Sequence, residues 1–244
     1  MTDKKKKTGR RKPPIILIVL MLVTCIAVSA AVIVNIFGIL RTQEAEPDAV
    51  PAAEKNSRSM RNDYYEIGNN PTDLEKEEFQ KLTDAVKSGT DAEKAEACAR
   101  NFVADHFTWT NKDGNYEIGG IQYVYGEKAS GFETWSRHNF YDDLDLYITQ
   151  YGRDKLIEVA SITTTSVKEA PDFVYERWLD TGVSENISFK CYEVNLAWTY
   201  ADNCTITDQF PNEGRFFVIY NTVRYEIAEF YDMDSIREWE AQNS

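Results

Sequence analysis

The sequence predicts an α+β fold carried behind a single N-terminal transmembrane helix, and three observations predict it. Residues 14–40 form one apolar run without Asp, Glu, Lys, Arg or His. From Thr72 to Tyr151 the apolar residues recur at the 3, 4, 7 spacing of helices. From Lys155 to Tyr231 the pattern alternates, as in antiparallel strands. Helices first and strands second is the α+β order.

The apolar run comes first in the chain. A helix rises ~1.5 Å per residue, so a run of this length exceeds the ~30 Å hydrocarbon core of a bilayer. Thr24, Ser29 and Asn35 are its only clearly polar members. Lys4, Lys5, Lys6, Lys7, Arg10, Arg11 and Lys12 precede it against Asp3 alone, and only Arg41 follows closely. This asymmetry predicts a cytoplasmic basic tail over residues 1–13 and a translocated C-terminal part, which places the protein in the cell membrane as a single-pass chain. A cleavable signal peptide is the competing reading, because Val28-Ser29-Ala30 offers a small-residue site and Leu22-Val23-Thr24-Cys25 faintly resembles a lipoprotein box. A signal peptide has an apolar core of only ~7–15 residues. Here the run continues through Val32, Ile33, Val34, Ile36, Phe37, Ile39 and Leu40, which suits a retained anchor. Ala27 and Ala31 stand four apart and would let two such helices approach, leaving a homo-oligomer open.

Charge separates the two ends. Residues 1–41 hold eight basic residues and one acid, and the remaining 19 basic and 39 acidic residues carry −20. So acidic a body argues against nucleic acid as a partner, since phosphate neutralisation needs the opposite sign. Residues 41–71, rich in Ala, Pro, Glu and Ser, read as a flexible linker that buries too little surface to offset its conformational entropy. Residues 72–244 then supply enough chain for one extracytoplasmic domain with its own core.

Within that domain Thr72-x-x-Glu75 and Thr90-x-x-Glu93 resemble capping boxes that open two helices. The first presents Phe79, Leu82 and Val86 on one face; the second presents Ala95, Cys98, Ala99, Phe102, Val103 and His106. A third helix is expected from Gly131 to Tyr151 with Ser136, Phe140, Leu144, Tyr147, Ile148 and Tyr151 inward. Strands are expected over Lys155–Lys168, Phe173–Leu179 and Ser188–Tyr200, with Tyr192, Val194, Leu196, Trp198 and Tyr200 on one side. A last long strand, Arg215–Tyr231, is expected to bulge near Asn221 and to place Phe217, Ile219, Val223, Tyr225 and Ile227 together.

Three helices wrapped by a curved antiparallel sheet resemble the nuclear-transport-factor-2-like (cystatin-related) fold. The residues that carry the resemblance are the helix around Ala95–Phe107, the Phe140–Tyr151 helix ending in Tyr151-Gly152, and the long strands that follow. The likeness spans about residues 72–232 and is one of architecture and hydrophobic rhythm. With tail, span and tether, the layout is similar to membrane-anchored exported proteins of Gram-positive bacteria, among them bitopic subunits of conjugative type IV secretion systems. The resemblance implies a cone whose open end can hold a small molecule, and in some members a buried Asp or His that acts as acid or base.

The residues themselves offer little chemistry. There are two histidines: His106 on the buried stripe beside Asp105, and His138 toward the exposed side of the third helix. Neighbours on a helix do not face each other, so Asp105 and His106 are not a dyad by position. Asp142, Asp143 and Asp145 form an acidic turn without EF-hand spacing. Asn186-Ile187-Ser188 and Asn203-Cys204-Thr205 match the short glycosylation pattern. GxSxG, HExxH, P-loop, GxGxxG and CxxC patterns are missing, so neither a cofactor nor a metal is expected. Of the four cysteines, Cys25 lies in the span and Cys98 on an apolar face, while Cys191 and Cys204 could form a disulfide or stand as free thiols. Trp109, Tyr116, Tyr123, Tyr125, Phe132 and Trp135 cluster between the second and third helices and could line a cone mouth or a partner surface, or fill the core. The leading expectation is a non-enzymatic interaction module of an envelope or secretion assembly, held in the membrane by residues 14–40 and partnered by other envelope proteins. A ligand-binding or sensing domain is the alternative, and a pocket enzyme follows. A deep pocket with converging polar groups would favour the latter two, and a filled cone with an exposed apolar patch the first.

Overall fold

The computed structural model describes residues 60–232. The basic tail, the apolar span, the first part of the expected linker and residues 233–244 lie outside the described residues. Within them no helix is long and apolar enough to cross a membrane.

Both capping boxes form. Thr72 caps α1 (Asp73–Ser88) and Thr90 caps α2 (Asp91–His106), each accepting from the backbone of the Glu three residues on while that Glu reaches back. The stripe on α2 is buried throughout, Ala95, Cys98, Ala99, Phe102 and Val103 being inaccessible to solvent. A fork joins the helices to the sheet: Arg100 Nε and Nη2 each donate to Glu78 at 2.7 Å, and Nη1 donates to Thr164 at 3.1 Å.

The third helix differs from its expectation. It starts earlier, as α3 (Gly126–Trp135), passes through a wide turn at Ser136–Phe140 and resumes as α4 (Leu144–Tyr151). The turn closes an i→i+5 bond, Tyr141 N to Ser136 O at 2.8 Å, which inserts one residue and swings Tyr141 inward. Its hydroxyl donates to His106 O at 2.6 Å and accepts from Gly119 N at 3.2 Å. A straight helix would have left that fully buried ring outside.

The three helical regions pack on one antiparallel sheet of order β1–β2–β3–β4, made of Val159–Trp178, Ser184–Tyr200, Glu213–Tyr220 and Tyr225–Asp232. The two strands expected over Lys155–Lys168 and Phe173–Leu179 are a single β1. Pro171, which reads as a break, falls in a bulge between Ala170 and Phe173 on an edge strand, where a missing N–H is tolerated. In β2 the expected register holds, with Val194, Leu196 and Trp198 buried toward the helices and Thr199 outward.

The expected strand Arg215–Tyr231 is instead the β3–β4 hairpin. Asn221 Oδ1 accepts from Val223 N at 3.0 Å and Arg224 N at 2.9 Å, and Thr222 takes φ 76°. This side-chain turn stands in for glycine, so the reversal carried no Gly signal. It also changes the faces: Val223 is exposed, and Phe216 and Val218, rather than Phe217 and Ile219, enter the main core beside Tyr225 and Ile227. The opposite sheet face carries its own small cluster, Phe189, Cys191, Ile219 and Ala228, covered by Tyr125.

The linker expected over 41–71 does not extend to Pro71. Tyr65 and Ile67 are core residues, and the Tyr65 hydroxyl donates to Tyr225 O at 2.6 Å. An average over an Ala- and Glu-rich window hides two large apolar side chains at its end.

Candidate functional site

The aromatic stretch does not form one surface. Trp109 and Tyr123 are core residues on the helix side, and Tyr125 is buried on the opposite face of the sheet. Tyr125 reaches that face because Val124 bridges Ile227 on the edge of β4 and Tyr125 N donates to Ile227 O at 2.9 Å. Only Tyr116 and Trp135 are exposed, and they border different hollows. Trp135 lies beside Phe132, Phe230 and Tyr231 in a groove between α3 and β4, and Tyr116 borders a polar cavity near the N-terminal segment. Cys191 and Cys204 are free: Cys191 is buried within the opposite-face cluster, and the Cys204 thiol donates to Leu156 O at 2.9 Å. Asp142, Asp143, Asp145 and His138 are exposed, and among the described residues no group of metal-ligating side chains converges.

His106 ends α2 inside an aromatic shell. Phe102 and Phe140 stack on its two faces at 4.9 and 4.5 Å between centroids. Nδ1 lies 3.1 Å from Gly119 O, a carbonyl that only accepts, so the ring nitrogen must donate. Burial pushes the imidazole down to about 4, against the raising influence of the Gly119 carbonyl and Asp105, and the ring is neutral at pH 7. Asp105, one residue earlier, faces away toward Lys112. The two side chains form no dyad.

A buried charge cluster occupies the other side of α2. Lys112 Nζ donates to Asp105 Oδ1 at 2.7 Å and lies 4.0 Å from Glu75. Gly120 N also donates to Asp105, at 2.8 Å. Gly119 and Gly120 permit this approach: a Cβ on Gly119 would sit 2.2 Å from Asp105 O, and Gly120 has φ +81°. Asn111 Nδ2 donates to Glu75 at 2.9 and 3.1 Å and to Asn70 O at 3.1 Å. Burial pushes the Glu75 carboxyl up to about 7, Lys112 pulling it down and Asp105 pushing it further up. Burial also disfavours the charge on Asp105, but Lys112 and the Gly120 N–H outweigh it and hold that carboxyl below its usual range. Burial likewise opposes the Lys112 ammonium, and the two carboxylates more than offset that.

Sequence reading missed this cluster. Glu75 reads as a helix cap and Lys112 as a loop charge, and 37 positions separate them. The helix pair and the Gly119-Gly120 turn bring them together.

The β1–β2 ribbon is the second distinctive feature. On β2, strand β3 pairs with Cys191–Ala197, so residues 184–189 of β2 pair with β1 alone and the hairpin extends past β3. Its end carries Val174, Trp178, Leu179 and Val183, which are 56, 69, 39 and 60 % exposed. Val174 and Trp178 share one face, and Leu179 N donates to Val183 O at 2.9 Å across the turn.

No protein-family model matches the chain, and neither does any curated protein or solved structure.

Proposed function

We propose that this protein is a membrane-anchored extracytoplasmic interaction module of NTF2-like architecture, serving an envelope or secretion assembly rather than turning over a substrate. The observation that carries this reading is the apolar end of the β1–β2 ribbon. The side chains of Trp178 and Val183 stand mostly in water, and large apolar groups exposed together at one projecting end are what contact surfaces use. The interior supports the same reading. The space beneath the sheet is filled by Phe102, His106, Phe107, Phe216 and other rings. A hollow of about 320 Å³ does border His106, but it is walled mainly by Phe107, Phe140, Phe210 and Phe230, and the histidine is only 1 % exposed. The carboxylates nearest that end of the core, Asp208 and Asp232, are not buried. The free edge of β1 is guarded by its bulges, Pro171 and Lys168, which directs docking to the ribbon end instead of strand addition.

The partner is another envelope protein with a basic-rimmed apolar recess, because the chain beyond residue 41 carries −20 and the ribbon end is acidic on balance through Asp172, Glu176 and Asp180, Glu185 being paired with Arg177. A photo-crosslinking residue at position 178 of the full-length chain in its native membrane should yield a discrete adduct with a different protein. Replacing both Trp178 and Val183 by Ser should remove the corresponding complex from native gels. Thermal stability should stay within about 0.5 kcal/mol of the parent, as for exposed sites generally. Persistence of the complex in the double variant, or an adduct only with a second copy of this chain, overturns the assignment.

The anchor has its own test. Protease added outside intact protoplasts should degrade the domain and leave a short membrane-protected fragment. Recovery of a soluble mature protein starting at Ala31 would instead establish cleavage.

A further inference from the structure

Strand β4 is the last strand of the sheet, and among the described residues its outer edge meets only Val124, which bridges Ile227. Past that bridge an apolar groove of about 540 Å³ runs between the edge and α3. Rings in contact carry its lining from one wall to the other. On α3, Phe132 lies 6.4 Å from Trp135 and 5.6 Å from Phe102 between centroids, and Phe102 lies 6.0 Å from Phe230 on β4. Phe132 and Phe230 are half-buried, while Trp135 and Tyr231 are 48 and 43 % exposed. Gly131 helps to keep the groove open, since a Cβ there would meet nothing within 4 Å. Apolar surface gathered in one concave strip calls for a cover.

The chain itself supplies an occupant. Strand β4 leaves the sheet at Asp232, which is part of the groove wall, and residues 233–244 follow directly. Their large apolar residues are Met233, Ile236 and Trp239, at intervals of three. That spacing suits one face of a helix and does not suit a strand, whose period is two. Asp234 and Ser235 favour a reversal immediately after the strand. Ser235-x-x-Glu238 also matches a capping box, which would open a helix at Ile236. Helical residues 236–243 would span ~12 Å, and residues 227–232 of β4 extend ~17 Å, so the returning segment fits along the strand.

We propose that residues 233–244 fold back onto the groove between α3 and β4 and seat Ile236 and Trp239 against Phe132, Trp135 and Phe230. The groove shares no residue with the ribbon end, so the assignment stands whether or not the ribbon docks a protein. Its consequence is selectivity: with the groove covered from within the same chain, the ribbon end is left as the apolar surface offered to a partner.

Benzoylphenylalanine at position 239 of the full-length chain in nanodiscs tests it, with photo-adducts mapped by mass spectrometry. An adduct within the same chain, on residues 126–135, is expected. Gly131→Trp fills the groove from an exposed helix position and should remove that adduct while the far-UV spectrum is unchanged. A tethered segment that touched α3 only by chance would still react in this variant. Trp239→Ser should lower the melting temperature by about 3 °C or more, as loss of a buried ring does in a domain of this size, and Trp239→Phe should restore most of the difference. Adducts confined to a second copy or to a different protein, an adduct that Gly131→Trp leaves unaltered, or a melting temperature that Trp239→Ser does not move, overturns the proposal.

Discussion

Lys112→Met should destabilise the domain by about 3–5 kcal/mol at pH 8, because it leaves two buried carboxylates facing each other without their cation. Methionine fills nearly the same volume, so the loss is electrostatic rather than a cavity effect. The cost should shrink toward pH 5. Glu75 already has its carboxyl raised to about 7 in the folded protein; without Lys112 it rises further, and Asp105, now held below its usual range, rises as well. A carboxyl whose folded pKa exceeds its unfolded pKa contributes stability at pH values below the unfolded pKa. That contribution is lost as pH rises through the folded pKa. Urea unfolding at pH 5 and pH 8 reads both effects. Lys112→Met with Asp105→Asn should recover a large part of the loss, since one of the two unpaired charges is gone. A loss below about 1 kcal/mol at pH 8 would show that the cluster is hydrated in solution and not buried as described.

His106 should give the second large effect, with the opposite dependence on pH. His106→Ala empties a space between two stacked phenylalanines and should cost about 3–5 kcal/mol, as truncation of a buried ring does. The pH dependence isolates the imidazole. Its folded pKa is depressed from 6.5 to about 4, so the unfolded chain takes up a proton first as pH falls. The neutral ring therefore contributes stability above pH 6.5 that is lost progressively down to about pH 4, roughly 3 kcal/mol over that interval. His106→Phe abolishes this term, so the difference in stability between wild type and variant should move in favour of the variant as pH drops from 7 to 4. Glu75 shifts in the other sense over nearly the same interval, and in the wild-type protein the two partly cancel. A wild-type-minus-variant difference that stays flat with pH would mean that His106 is solvated or paired when protonated.

The ease with which each part was read follows from how local its cause is. Both capping boxes and the α2 stripe are set within a few residues, and they appear as expected. The β2 register holds because strict alternation admits only one inward face. The third helix failed at Ser136–Phe140, where the wide turn forms because Tyr141 gains hydrogen bonds to His106 and Gly119, both remote in sequence. The β3–β4 turn failed because Asn221 and Thr222 build it without glycine. Tyr65 and Ile67 were hidden by the composition of their neighbours.

The aromatic residues show the limit most clearly. Trp109, Tyr116, Tyr123, Tyr125 and Trp135 look equivalent on the page, yet they end in the core, on the opposite sheet face, or at two separate hollows. Which of these a ring reaches depends on the path of the loop between α2 and α3, and that path is fixed by the Gly119-Gly120 approach to Asp105 and by the bridge from Val124 to β4. The cysteines follow the same logic: the thirteen-residue separation of Cys191 and Cys204 leaves a disulfide open, and their separate placement decides against it, Cys191 in the opposite-face cluster and Cys204 past the end of β2 against Leu156.

Legible from the chain were the α+β class, the two capped helices, the inward face of β2, the strongly acidic character beyond residue 41, and an apolar run long enough to span a bilayer. These are properties of periodicity, length and charge, and each is summed along neighbouring residues. The tertiary structure alone decided that Glu75, Asp105, Asn111 and Lys112 meet in one buried cluster, and that Trp178 and Val183 lie at the exposed end of the β1–β2 ribbon. Both are products of long-range pairing. Electrostatic cost and solvent exposure depend on what is close in space, and no local pattern in the chain encodes which remote residues those will be.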